Sequence, residues 1–114
     1  MALLKPAPKN RITVQDLPRL FRVEPAGNLE VNYRLRLKLE DGEIEPWTFT
    51  VYKGKCGLLP GEDFDADVVL TCDDATLDEL LSGIVDLPTL YTQRRLAIKG
   101  NVDFALKFPR LFGC

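Results

Sequence analysis

Apolar and polar positions alternate most cleanly between Val31 and Glu40. Val31, Tyr33, Leu35, Leu37 and Leu39 are apolar, and Asn32, Arg34, Arg36, Lys38 and Glu40 stand between them. A period of two puts the first set on one face of a strand and the second on the other. One sheet face therefore meets solvent, which favours antiparallel pairing. Asp41-Gly42 predicts a hairpin turn. Trp47, Phe49 and Val51 repeat the alternation after Pro46, with Thr48, Thr50 and Tyr52 opposite. Lys53-Gly54 turns the chain again into a short third strand from Lys55 to Leu59. A fourth strand, Ala66 to Cys72, has Val68, Leu70 and Cys72 on one face. A fifth, after Gln93-Arg94-Arg95, points Leu96 and Ile98 at the core.

Helical spacing takes over between and around these strands. Thr13-Val14-Gln15-Asp16 resembles a capping box and predicts a short helix to about Arg22, with Leu17, Leu20 and Phe21 as its buried stripe. Pro18 is tolerated in its first turn, and Pro25-Ala26-Gly27-Asn28 turns the chain. After the fourth strand, Asp73-Asp74 caps a helix whose stripe is Leu77, Leu80, Leu81 and Ile84, with Gly83 as its stop. Asp86 with Pro88 starts another helix, carrying Leu87, Leu90 and Tyr91. Gly100-Asn101 then leads into a last helix in which Val102, Phe104, Ala105, Leu106, Phe108, Leu111 and Phe112 are apolar. Such a helix must be covered on more than one side or line a cavity. Pro109 ends or kinks it near Phe108.

Composition narrows the function more than the fold. The 114 residues suit one domain, expected over residues 12–114 behind a flexible arm over residues 1–11. A net charge of -2 and the lack of a long basic run give no reason to expect nucleic acid. No apolar run reaches the length of a membrane span, and the start has too short a run for a signal peptide, so cytoplasm is the expected compartment. The acidic loop Pro60-Gly61-Glu62-Asp63-Phe64-Asp65 lacks the ligand spacing of a calcium loop, and no metal or cofactor is expected. The three cysteines, Cys56, Cys72 and Cys114, are widely spaced and suit neither a disulfide framework nor zinc. There is no histidine, which removes the commonest general base and metal ligand. Tyr33, Tyr52, Tyr91, the carboxylates and the thiols remain for chemistry. Cys72, beside a helix start, is the thiol placed for activation.

Several short segments, in order, resemble the sterol carrier protein 2 (SCP2) family of lipid-binding domains. They are Ala66-Asp67-Val68 with Leu70-Thr71, Leu80-Leu81-Ser82-Gly83, Leu96-Ala97-Ile98-Lys99-Gly100-Asn101 and Ala105-Leu106-Lys107. The resemblance spans about Val31 to Phe112. It implies an α+β fold: a five-stranded, mainly antiparallel sheet covered by helices, with a hydrophobic tunnel between sheet and C-terminal helices. It also implies a sterol, fatty acid, acyl-CoA or similar lipid as ligand. Gln93-Arg94-Arg95-Leu96 is similar to the accessory proteins of ubiquinone biosynthesis in the same family, which implies the alternative of a scaffold presenting a lipid precursor to enzymes. A short N-terminal helical region implies a more open tunnel, and Pro109 replaces the polar residue of several members. The ending Phe112-Gly113-Cys114 is not a peroxisomal address.

The expectation is therefore non-catalytic lipid binding. Leu80, Leu81, Ile84, Leu90, Tyr91, Phe104, Phe108, Leu111 and Phe112 are the candidate walls and lid, Trp47 and Phe49 the sheet floor, and Arg94 and Arg95 the contacts for an anionic head group. An apolar C-terminal surface would equally serve transient membrane contact, a homodimer or an enzyme partner.

Overall fold

In the computed structural model of the chain, residues 12–62 and 65–113 are described. The expected arm over residues 1–11, Cys114, and Asp63 and Phe64 of the acidic loop lie outside them. The strands are β1 (Val31–Lys38), β2 (Ile44–Tyr52), β3 (Lys55–Pro60), β4 (Val68–Asp73) and β5 (Ala97–Gly100). They form one sheet in the order β3-β2-β1-β4-β5. β1–β2, β2–β3 and β4–β5 are antiparallel, and β1–β4 is parallel. The helices are α1 (Leu17–Leu20), α2 (Val23–Ala26), α3 (Asp74–Leu81), α4 (Leu87–Thr92) and α5 (Val102–Lys107). No helix among the described residues is long and apolar enough to cross a membrane.

Parity builds the core. Tyr33 lies beside Phe49, Val31 beside Val51, and Leu35 beside Trp47 and Leu70. Tyr33, Phe49, Val51, Val68, Leu70 and Cys72 are buried and join helix residues Leu77, Leu80, Leu90, Phe108 and Leu111 in one cluster. The helices thus cover one sheet face. The other is only partly open. Thr48 is buried there, its hydroxyl donating to the Gly61 carbonyl at 2.9 Å, because the turn after β3 folds back over the sheet.

Turns fall where the sequence marks them. Lys53 and Gly54 both have positive φ, 49° and 78°, as a tight two-residue hairpin turn requires. β1 stops at Lys38 rather than running to Leu39, which joins the turn through its N–H to the Glu43 carbonyl at 2.8 Å. The crossover into β4 is pinned by Asn32, whose N–H donates to Asp67 Oδ2 at 2.8 Å. At Gly100, φ is +103° and an added Cβ would lie 2.6 Å from the Asp67 carbonyl oxygen. Only glycine lets β5 leave the sheet this close to the crossover.

The caps hold, two helix expectations change, and Pro109 ends the last helix where expected. Asp73 Oδ1 accepts from the Thr76 N–H at 2.8 Å, and Asp86 Oδ1 from the Thr89 N–H at 2.9 Å. The expected single helix from Thr13 is instead a 3-10 turn (Val14–Asp16), α1 and α2, because the backbone turns extended at Phe21 and Arg22. The Thr13 N–H still donates to Asp16 Oδ2 at 2.9 Å, and this bond with the Arg19 guanidinium holds the Asp16 carboxyl below its usual value. α3 ends at Leu81, so Ile84 does not extend its stripe: Gly83 takes φ +78° and the chain leaves the helix first. The last apolar run breaks at Phe108, and Pro109–Phe112 form a 3-10 turn.

Candidate functional site: an apolar groove along α4 and α5

The expected wall residues separate into two groups. Phe49, Phe108, Leu111 and Phe112 are buried together, and Phe21 and Tyr33 complete an aromatic cluster with them. Ring centroids are 4.9 Å apart for Tyr33–Phe108, 5.1 Å for Phe108–Phe112 and 5.4 Å for Phe49–Phe112. These are the spacings of rings in contact. The space between the sheet floor and the chain end is therefore filled with side chains. Leu80, Leu81 and Leu90 are buried beside it, Phe104 is half-buried, and Trp47 sits at the cluster's edge with Nε1 donating to Glu45 Oε1 at 2.8 Å.

Tyr33 anchors this arrangement. Its hydroxyl donates to the Phe104 carbonyl at 2.7 Å, tying α5 to the central strand. Burial pushes its phenol well above the usual value, with the Asp67 charge adding to the effect. A tyrosine on the apolar face of a strand has to find such a partner, so the alternation of β1 already carried the signal.

The second group opens to solvent. A cleft of about 320 Å³ lies between the α3–α4 turn, α4 and α5, lined by Leu80, Val85, Leu87, Pro88, Leu106, Pro109 and Arg110, among others. A second, of about 230 Å³, adjoins it along Leu87, Pro88 and Leu106 and continues to Tyr91, Ile98 and Val102. Together they form a groove. Tyr91 and Val102 are about half exposed on its lip, and Ile84, 71% exposed, stands on the turn beside it. Of the residues expected to line a pocket, Leu80 and Tyr91 do so here. Leu87, Val102 and Leu106 read as apolar helix positions in the sequence, and nothing in their period distinguished groove from core. Arg110 is the groove's cation, and its place in an otherwise apolar run is the only signal that could have found it.

The two expected head-group arginines part company. Arg95 forks onto Glu79 of α3, with Nη1 to Oε1 at 3.0 Å and Nη2 to Oε2 at 2.6 Å. The bond depresses the Glu79 carboxyl and raises the guanidinium. Arg95 thus clamps the start of β5 to α3. Arg94 is exposed with φ 62°, on the turn after α4, and borders a shallower hollow with Tyr91 and Leu96.

Cys72 corrects the expectation of an activated thiol. It faces inward with Leu70, and burial, reinforced by the Asp73 and Asp74 charges, pushes its thiol up to about 12. Desolvation outweighs the favourable end of α3. Among the described residues no group of histidine, cysteine, aspartate and glutamate is gathered to hold a metal.

Solved structures share this architecture. The sec-alkylsulfatase Pisa1 from Pseudomonas sp. aligns with a TM-score of 0.75 at 21% identity, over 86% of this chain and 15% of that one. Sterol carrier protein 2 from Yarrowia lipolytica, in its apo form, aligns with a TM-score of 0.65 at 26% identity, over 72% of this chain and 66% of that one. Palmitated SCP2L2 from Aedes aegypti aligns with a TM-score of 0.63 at 21% identity, over 90% and 96%. By sequence, sterol carrier protein 2 of Bos taurus is 34% identical over 70 residues, which is 61% of this chain and 13% of that protein. The chain therefore spans a small part of the curated relatives it matches. The profile of the SCP-2 sterol transfer family matches residues 25–113, and the chain belongs to that family.

Proposed function

We propose that the groove along α4 and α5 holds the hydrocarbon part of a lipid, and that the domain carries its ligand rather than transforming it. The observation that supports this best is the continuity of the two clefts through Leu87, Pro88 and Leu106. A chain laid there takes its apolar surface out of water against the groove wall, at roughly 25 cal/mol for each Å² buried. Arg110 at one end supplies a charge for a carboxylate or phosphate head, a role that the Glu79 fork makes unsuitable for Arg95. The filled aromatic cluster beneath is the part that a deeper tunnel would have to open. Family membership supports lipid as the ligand class, and the Aedes aegypti relative was solved as a palmitated protein.

Displacement of a fluorescent fatty-acid analogue from delipidated protein tests the reading. Leu106 is 43% exposed on the groove wall, so Leu106→Asp leaves the fold intact and puts a charge where the chain would lie. Affinity should fall about tenfold or more, the equivalent of ~1.4 kcal/mol. Unchanged affinity in a folded Leu106→Asp protein would remove the groove from consideration.

A further inference from the structure

One side chain marks the far end of the groove. Tyr91 lines the cavity of about 230 Å³ with Ile98 and Val102, and it also lines the hollow beyond, of about 490 Å³, with Arg94 and Leu96. It is the residue that the two have in common. The floor continues past it. Ile98 pairs with the inward-facing Leu70, and Leu96, two positions earlier, is buried as well. Residues two apart on an extended chain share a side, so one apolar line leads from the groove to the hollow, and Tyr91 stands across it.

The backbone holds the ring there. The Arg95 and Leu96 N–H groups donate to the Leu90 carbonyl at 3.0 and 3.3 Å, and the Arg94 N–H donates to the Tyr91 carbonyl at 3.0 Å. These bonds fasten the end of α4 to the start of β5, which the Arg95–Glu79 fork fastens to α3. The other end of the groove is Arg110. From Val102 to Arg110 the wall follows α5 and the 3-10 turn, at about 1.5–2 Å per residue a run of roughly 12–14 Å, the length of an extended chain of about ten carbons. Methylenes within that run exchange water for Leu87, Val102 and Leu106. Those that follow meet the Tyr91 ring and turn out to solvent, where no burial is gained.

Resting on the lipid reading of the groove, we propose that Tyr91 is its stop: acyl chains bind with the carboxylate at Arg110, and length beyond about ten carbons adds no affinity. The test is displacement of a fluorescent fatty-acid analogue from the delipidated full chain by saturated fatty acids of about six to sixteen carbons, kept below micelle formation. In the unaltered protein, affinity should rise by up to about fourfold per methylene and level off near ten carbons. Tyr91→Ala joins the groove to the hollow. Its plateau should move out by about five carbons, the roughly 7 Å from Ile98 to Leu96. Tyr91 is 54% exposed, so losing the ring spares the core; if the Ala variant does not fold, Tyr91→Leu carries the same comparison with a smaller displacement. An affinity that climbs unbroken to the longest acid in the unaltered protein, or a plateau that Tyr91→Ala leaves in place, would overturn the proposal. Leu106→Asp separates this failure from that of the groove. If it still weakens every chain, only the stop falls; if it weakens none, the groove falls and the stop with it.

Discussion

Phe108→Ala asks whether the space under the chain end is core or tunnel. The Phe108 ring is fully buried and lies 4.9, 5.1 and 6.3 Å from the rings of Tyr33, Phe112 and Phe49. Emptying such a site costs ~3–5 kcal/mol through lost burial and the cavity left behind. Each aromatic pair is worth a further ~0.5–1.5 kcal/mol, which argues for the upper half of that range. At roughly 4 °C per kcal/mol for a domain of this size, the melting temperature should fall by about 16–20 °C. Near-UV circular dichroism during thermal unfolding measures it. Phe108→Leu keeps most of the volume and should cost less than ~1.5 kcal/mol. The Ala variant should also be partly restored by benzene, which enters dry apolar cavities and stabilises by mass action. A ring lining an open tunnel has contacts on one side only. A fall of less than about 5 °C, with no response to benzene, would refute the filled core.

Further outcomes follow from two residues on the same sheet. The Cys72 thiol should resist a thiol reagent in the native protein near neutral pH, because its value is raised to about 12 from 9.0; labelling at the rate of a free thiol would contradict its burial. Between those values the unfolded chain has lost this proton and the folded chain keeps it. Stability is therefore complete below pH 9 and declines as pH rises, by up to ~1.4 kcal/mol per unit from this group, and Cys72→Ala should flatten the decline in urea titrations. Gly100→Ala places a Cβ against the Asp67 carbonyl at a positive φ. It should cost more than ~1 kcal/mol, read from the urea midpoint, whereas a neutral result would mean that β5 leaves the sheet by another path.

The parts of the fold that repeat locally were legible, and the parts that depend on distant partners were not. Parity alone assigned the inner face of β1, β2 and β4, and Asp73 and Asp86 announced their helices by the caps they form. Parity also placed Cys72 inward, and that outweighed its position beside a helix start. Ile84 kept the helical period after the backbone had stopped being helical, since a pattern of side chains does not register the φ of Gly83. Arg95 meets Glu79 sixteen positions away, and no periodicity couples a strand end to the middle of a preceding helix. The last apolar run was read as one helix, and it divides into α5 and a 3-10 turn. Which residues turned inward with Ala105 and which toward the groove with Leu106 depended on where α4 came to rest.

The parallel pairing of β1 with β4 divides the molecule by the order in which it can assemble. β1, β2 and β3 are joined by tight hairpins and close with little loss of chain entropy. β4 has to return past both of them to reach β1, and its first tie, from Asn32 to Asp67, joins residues 35 positions apart. β5 and α5 follow β4, and the Tyr33 hydroxyl bonds α5 to β1. The meander is the part closed by local turns, while the half that builds the groove is tied to it by contacts distant in sequence. Phe108 and Phe112 pack on Tyr33 and Phe49 in one shared core, so neither part can leave the other without baring it.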